Sequence, residues 1–102
     1  MIACYSGEQL VGLTAMYCNN HESRTAYITF IAVLNNYRGN KIATKLLNLA
    51  ALVSQEQGMH KIHIDTNNEI ACKCYTRNGF EIISTQKLSE YNLTRYFLEK
   101  KL

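Results

Sequence analysis

The sequence predicts a mixed α/β fold, with one sheet that is parallel at its centre and antiparallel toward both edges. Three observations carry this expectation. Residues 26–33 (AYITFIAV) form an uncharged run of β-branched and aromatic residues, the composition of a strand. Residues 41–57 repeat apolar side chains at helical spacing, and residues 60–66 (HKIHIDT) alternate. Strand, helix and strand at this separation make a βαβ unit, so the two strands are parallel and the crossover is right-handed.

Taken in order, residues 2–6 (IACYS) and 9–18 (QLVGLTAMYC) flank a turn containing Gly7 and read as a β-hairpin. Residues 19–24 are a polar loop. The uninterrupted apolar strand 26–33 is expected to be covered on both faces and central in its sheet. A polar connection, 34–37, follows, and Arg38-Gly39-Asn40-Lys41 leads into the helix. There Ile42, Leu46, Leu49 and Val53 recur at spacings of four, three and four, with Leu47 and Ala50 widening the stripe and Lys41, Lys45, Asn48 and Gln55 opposite. This is an amphipathic helix about 25 Å long at 1.5 Å per residue. Gly58 stands where helices usually end. In the next strand Ile62 and Ile64 share one face, His63 and Asp65 the other. A second helix fits residues 68–78, stopping at Asn78-Gly79, and residues 80–85 (FEIIST) and 92–100 (NLTRYFLEK) read as two closing strands. The predicted order is ββ-β-α-β-α-ββ. Every glycine lies in or near a turn except Gly12.

A chain of 102 residues is expected to be one domain, 1–102, and with 47% apolar residues it has enough for a real core. Folding at this length buries roughly 60–70% of the unfolded surface. No apolar run approaches the ~18 residues of a membrane span. Met1-Ile2-Ala3-Cys4 lacks the basic start and apolar stretch of a signal peptide, so the expected location is the cytoplasm. The net charge of +3 is spread along the chain, and Lys100-Lys101 is its one adjacent basic pair, which argues against a nucleic-acid-binding stripe. Of the cysteines, Cys4 is expected opposite about Val11 in the hairpin, far from Cys18. Cys72 and Cys74 lie two apart on a helix and point different ways. Reduced thiols follow, with neither a disulfide nor a metal site.

The start of helix 41–57 carries the chemistry. Free backbone N–H groups there favour an anion. Its first turn holds Lys41 and Lys45 and no acid, the wrong sign for the positive end of the helix dipole by roughly 0.3–1 kcal/mol per exposed charge. Arg38 and Gly39 precede it. Such a gathering of cations suits a bound polyanion. A P-loop is excluded because Gly39-Asn40-Lys41 separates glycine from lysine, and a dinucleotide fingerprint is excluded because only Gly39 of its three glycines is present.

Arg38, Gly39, Ile42, Ala43 and Thr44 match the "RGxGIGxxLL" helix start of the GNAT superfamily, and here the chain resembles those acetyl-CoA-dependent N-acetyltransferases. One position departs, since Lys41 stands where the family places its first motif glycine. Residues 68–80 (NEIACKCYTRNGF) carry a second family pattern, N-x-x-A-x-x-x-Y-x-x-x-G-F, in full register. The likeness runs from residue 2 to about 100. It implies a GNAT-like acyltransferase fold in which strands 26–33 and 60–66 part at their C-terminal ends and the pantetheine arm lies in the gap.

By that resemblance Ile31, Ala32 and Val33 offer backbone contacts to the arm, with Val33 N–H polarising the thioester carbonyl. Arg38, Gly39, Asn40, Lys41, Ile42, Ala43 and Thr44 hold the pyrophosphate. Asn68 contacts the arm, and Tyr75 and Arg77 complete the cofactor site. Tyr75 sits where the family places its general acid. A phenol pKa near 10 against about 8.5 for a thiol makes full proton transfer uphill by roughly 2 kcal/mol, so the expected role is first a hydrogen bond to the departing thiolate. No general base is assigned. His63 and Asp65 face the expected cleft, His21 and Glu22 lie in a loop, and water is the alternative.

The family usually begins with a strand and two helices that shape the acceptor pocket, and this sequence opens directly on the hairpin. The fold is therefore expected to be N-terminally shortened, with one sheet face uncovered and a homodimer or a partner as its lid. The implied activity is transfer of acetyl from acetyl-CoA to a primary amine of a small molecule or protein, without a metal. The alternative is an inactive CoA-binding or interaction module of the same fold.

Overall fold

The computed structural model describes residues 2–34 and 41–102. Its elements are β1 (Ile2–Ser6), β2 (Gln9–Asn20), β3 (Thr25–Val33), α1 (Ile42–Glu56), β4 (Lys61–Thr66), α2 (Glu69–Arg77), β5 (Glu81–Leu88) and β6 (Leu93–Lys101), with a 3-10 turn at Ser89–Tyr91 between the last two. The six strands form one sheet in the order β1-β2-β3-β4-β6-β5. The predicted element order holds. Strand β2 runs two residues further than its apolar run, and β5 three, because pairing to a neighbour continues after the apolar pattern stops.

Two antiparallel half-sheets meet at a single parallel junction. Strands β3 and β4 pair only as Thr25↔Lys61, Ala26↔Ile62 and Tyr27↔His63. Beyond Tyr27, β4 continues against β6 while β3 continues against β2, so a gap opens between residues 28–33 and 64–66.

Both helices pack on one side of the sheet. Leu47 and Ala50 of α1 and Cys72 and Tyr75 of α2 share a core with Ile62, Ile64, Leu98, Ala26, Ile28 and Phe80. A second cluster, Val11, Ile42 and Leu46, lies under the first turn of α1. The expectation that β3 is covered on both faces is corrected. Tyr27 (40% exposed) and Phe30 (43%) stand on the opposite side, where no helix of the described residues lies. An apolar run reports burial but not which element supplies it.

Two of three local departures share one cause, a residue gained by one partner in a strand pairing. Cys4 lies opposite Gly12 rather than Val11, because β2 bulges between its pairs with Cys4 and Tyr5. All four cysteines are free thiols. In β3, Phe30 opposes Ala15 while Ile28 opposes Met16, which leaves Thr29 as the extra residue of a bulge. On α1 the buried row is Ile42, Leu46, Leu47, Ala50 and Ser54, and Leu49 turns half outward. That row steps by four along the helix, and the small Ser54 is tolerated inside against the Cys18 thiol, Sγ···Oγ 3.9 Å.

Gly12 explains itself in three dimensions. A Cβ there would sit 2.7 Å from Ile42 Cγ2, so the missing side chain lets α1 lie directly on β2.

Candidate active site

The gap between β3 and β4 is where sequence-predicted site residues from three elements gather. The bond from Leu34 N–H to Val11 O (2.9 Å) flanks the Gly12↔Val33 pair and marks it as non-hydrogen-bonded. Pairs alternate along an antiparallel ladder, so Ala32 turns its backbone groups toward Leu13 of β2. Ile31 and Val33 turn theirs the other way, toward the gap. Of the three residues expected to meet the arm, two have gap-facing backbone and Ala32 does not.

A cavity of about 500 Å³ lies along this gap, lined by Ile31, Ala32 and Val33 of β3, Ala43 of α1, and Asn68, Tyr75 and Arg77 of α2, together with Ile70, Ala71 and Cys74. The first seven are sequence-predicted site residues from three separate elements. The last three were missed, although their spacing on one face of α2 with Tyr75 and Arg77 is the signal that would have found them. Ile42 points inward to Val11 and Leu46, and Thr44 is half-buried outside the cavity lining. Arg38, Gly39 and Asn40 lie outside the described residues.

Lys41 is the N-cap of α1 and adopts φ 59°, ψ 27°, the left-handed region that favours glycine. Among the described residues no side chain caps this helix end, and no acid lies in its first turn. The positive end of this fifteen-residue helix, where Lys41 and Lys45 lie, reaches the cavity lining through Ala43. Asn68 is the N-cap of α2, and its Oδ1 accepts from Ile70 N–H (2.8 Å) and Ala71 N–H (3.1 Å). Its amide nitrogen is the part left to meet a ligand.

Tyr75 is the hinge between two spaces. It lines the 500 Å³ cavity and also a second one of about 390 Å³, formed with Thr29, Phe30, Ile31, Asp65, Thr66, Leu88 and Arg95. Its ring is buried against Phe80, centroids 6.1 Å apart. Burial pushes the phenol above its usual pKa, and Cys74, Asp65 and Cys72 add to the shift. The neighbouring Cys72 thiol is raised too, chiefly by burial and then by Glu69.

The base candidates separate. Asp65 lines the second cavity but is paired with Arg95, whose Nε donates to Oδ2 at 2.7 Å. His63 sits one step back on the open face, edge-on to Tyr27 at 5.7 Å and donating from Nε2 to Glu99 at 2.8 Å. His21 and Glu22 lie on the turn that leads into the N-terminal end of β3, at the far end of the strand from Val33.

Residues 1–80 match the model of the Acetyltransferase (GNAT) family. The chain belongs to this family. It is 32% identical over 77 residues to N-alpha-acetyltransferase 30 of Schizosaccharomyces pombe, covering 72% of the chain and 51% of that relative. It is 32% identical over 72 residues to N-alpha-acetyltransferase 50 of Danio rerio, covering 68% and 43%. The chain thus spans about half the length, or less, of these curated relatives. Among solved structures, an acetyltransferase from Bacillus anthracis in complex with acetyl coenzyme A superposes with a TM-score of 0.82 at 26% identity, covering 92% of the chain and 57% of the neighbour. The mixed six-stranded sheet with two helices is the fold of this family.

Proposed function

We propose that the chain is an acetyl-CoA-dependent N-acetyltransferase that passes the acetyl group directly to a primary amine, of a small molecule or protein, in a ternary complex. The observation that carries this reading is the position of Tyr75, between the cavity that Ala43 of α1 lines and the second cavity beside Asp65 and Arg95. Acetyl-CoA fits the first. Its phosphates meet the N–H groups and cations at α1, and its amide-bearing arm meets the gap-facing backbone of Ile31 and Val33. Arg77 and the Asn68 amide nitrogen close the other wall. Two relatives named as N-alpha-acetyltransferases support an amine as acceptor.

In this reading the amine enters from the Asp65 side and attacks the thioester carbonyl. The departing CoA thiolate then meets the Tyr75 hydroxyl. Because the phenol is pushed further above the thiol's pKa, handing over its proton is uphill by more than the roughly 2 kcal/mol of unperturbed groups. Tyr75 therefore acts as a hydrogen-bond donor, and the amine's proton leaves to water. Arg95 occupies the Asp65 carboxyl with a hydrogen bond, which suits Asp65 to positioning the incoming amine rather than deprotonating it.

The engagement of Asp65 also favours a second reading, a CoA-binding module without turnover. Tyr75→Phe separates the two, since it keeps the packing against Phe80 and removes only the hydroxyl. Acetyl-CoA binding is expected to change less than about twofold while amine-dependent thiol release falls about 10²-fold, the usual scale for a lost proton-donating group. If the unaltered chain binds acetyl-CoA yet releases no thiol across a panel of amines and peptides, the enzyme reading fails and the module reading stands.

A further inference from the structure

The bulge in β3 has a lock on its far side. Thr14 of β2 is fully buried, and its Oγ1 donates to the carbonyl of Phe30 at 2.8 Å. That carbonyl faces β2, because Ala15↔Phe30 lies at the hydrogen-bonding position of the alternating ladder. The next pair, Thr14↔Ile31, is the one whose backbone on β3 turns toward the gap. A trans peptide is planar, with C=O and N–H on opposite sides. Holding the Phe30 carbonyl from behind therefore aims Ile31 N–H into the gap. The adjacent bulge residue, Thr29, is tied back in the same way, its Oγ1 donating to Ala15 O at 3.2 Å.

We infer that Thr14 is a positioning residue, setting the Phe30–Ile31 peptide so that Ile31 N–H meets an amide carbonyl of the acyl-CoA arm. With no pairing to β4 on one flank and a bulge beside it, this peptide rests on its ladder pairing with Ala15, and the Thr14 hydroxyl adds a second hold on the same carbonyl. Threonine is suited to the task because its methyl group fills the core while its hydroxyl bonds backwards. Valine matches its volume and lacks the donor, and serine keeps the donor alone. The inference rests on the acetyl-CoA reading only for the identity of the arm, since the lock is a property of the chain itself.

Two measurements on the full chain test it. The first is amide hydrogen exchange without ligand, comparing Thr14→Val, Thr14→Ser and the unaltered protein. Thr14→Val is expected to speed exchange at Ala15, the ladder partner of Phe30, about tenfold while β1 and β6 amides keep their rates, and Thr14→Ser to restore it. The second compares the affinity for acetyl-CoA with that for adenosine 3′,5′-bisphosphate, which carries the nucleotide half without the arm. Thr14→Val should weaken acetyl-CoA about tenfold and leave the nucleotide within twofold. Equal weakening of both ligands, or unchanged exchange at Ala15, overturns the positioning role. Absence of acetyl-CoA binding by the unaltered chain overturns the functional reading instead, and the exchange comparison still decides whether Thr14 is the lock.

Discussion

Lys41 condenses the tension between a folding rule and a binding site. A residue with a side chain at φ 59° costs roughly 1 kcal/mol relative to glycine, and a lysine at a helix N-terminus faces the unfavourable end of the dipole. Both penalties fall on one exposed residue, at the position where the family pattern asks for glycine. Lys41→Gly is accordingly expected to raise stability by about 1 kcal/mol, read as a higher urea midpoint at unchanged slope. A lower midpoint would mean that contacts of the lysine side chain outweigh the backbone strain. Asn68 shows the opposite economy. Its carbonyl oxygen caps α2 while its amide nitrogen stays on the cavity side, so one residue both starts the helix and lines the site.

At the scale of elements, the site depends on how closely α1 can approach β2. The approach is set at Gly12, where an added Cβ would meet Ile42 Cγ2 at 2.7 Å and the Ala32 carbonyl at 3.3 Å. Ile42 is β-branched and fully committed to the Val11–Leu46 cluster, so it cannot swing aside. Gly12→Ala is expected to destabilise, since overpacking of about 1–3 kcal/mol exceeds the ~0.5–1 kcal/mol gained from a less flexible unfolded chain. Because the strain falls on the first turn of α1, acetyl-CoA affinity should drop as well, whereas an unchanged urea midpoint and affinity would show that α1 shifts freely. The sequence marked Gly12 as the glycine without a turn but offered no reason, because the reason is a contact across 30 residues. The βαβ unit was legible from its periodicity, which is a local property of each segment. So were the residues around Tyr75, which fall in a motif written on one helix. The bulges at Val11 and Thr29 were not legible, since a bulge is defined by the strand opposite. Nor was the Thr14 lock, which looks like any core-facing threonine until its partner carbonyl is known.

At the scale of the whole molecule, two three-stranded half-sheets are joined by a parallel ladder of only three residue pairs. That economy opens the gap between β3 and β4, and it concentrates the load on the junction. Backbone support comes from the Arg24 carbonyl, which accepts from His60 N–H (2.7 Å) and Lys61 N–H (3.4 Å). On the open face a cross-strand row continues the junction, with Tyr17 opposite Tyr27, Tyr27 opposite His63 and His63 opposite Glu99. Glu99 anchors the far end. Its carboxyl is held below the usual glutamate range first by the hydrogen bond from His63, which burial opposes, and then by the charges of Lys61, His63 and Lys101. Glu81 lies opposite it on β5, the one acid paired with it in the ladders. A carboxyl with a depressed folded pKa gives up its proton more readily in the folded state. Its stabilisation is therefore complete above the ordinary glutamate value of about 4.3 and is lost as pH falls through the lower folded value. Glu99→Gln removes that titration while keeping an oxygen that can still accept from His63. The variant is expected to melt at a lower temperature than the unaltered chain at pH 5 and above, with the two midpoints converging as the pH drops toward 3. Parallel melting curves with a constant offset across that range would show that the row contributes packing alone and that the junction does not depend on the carboxylate.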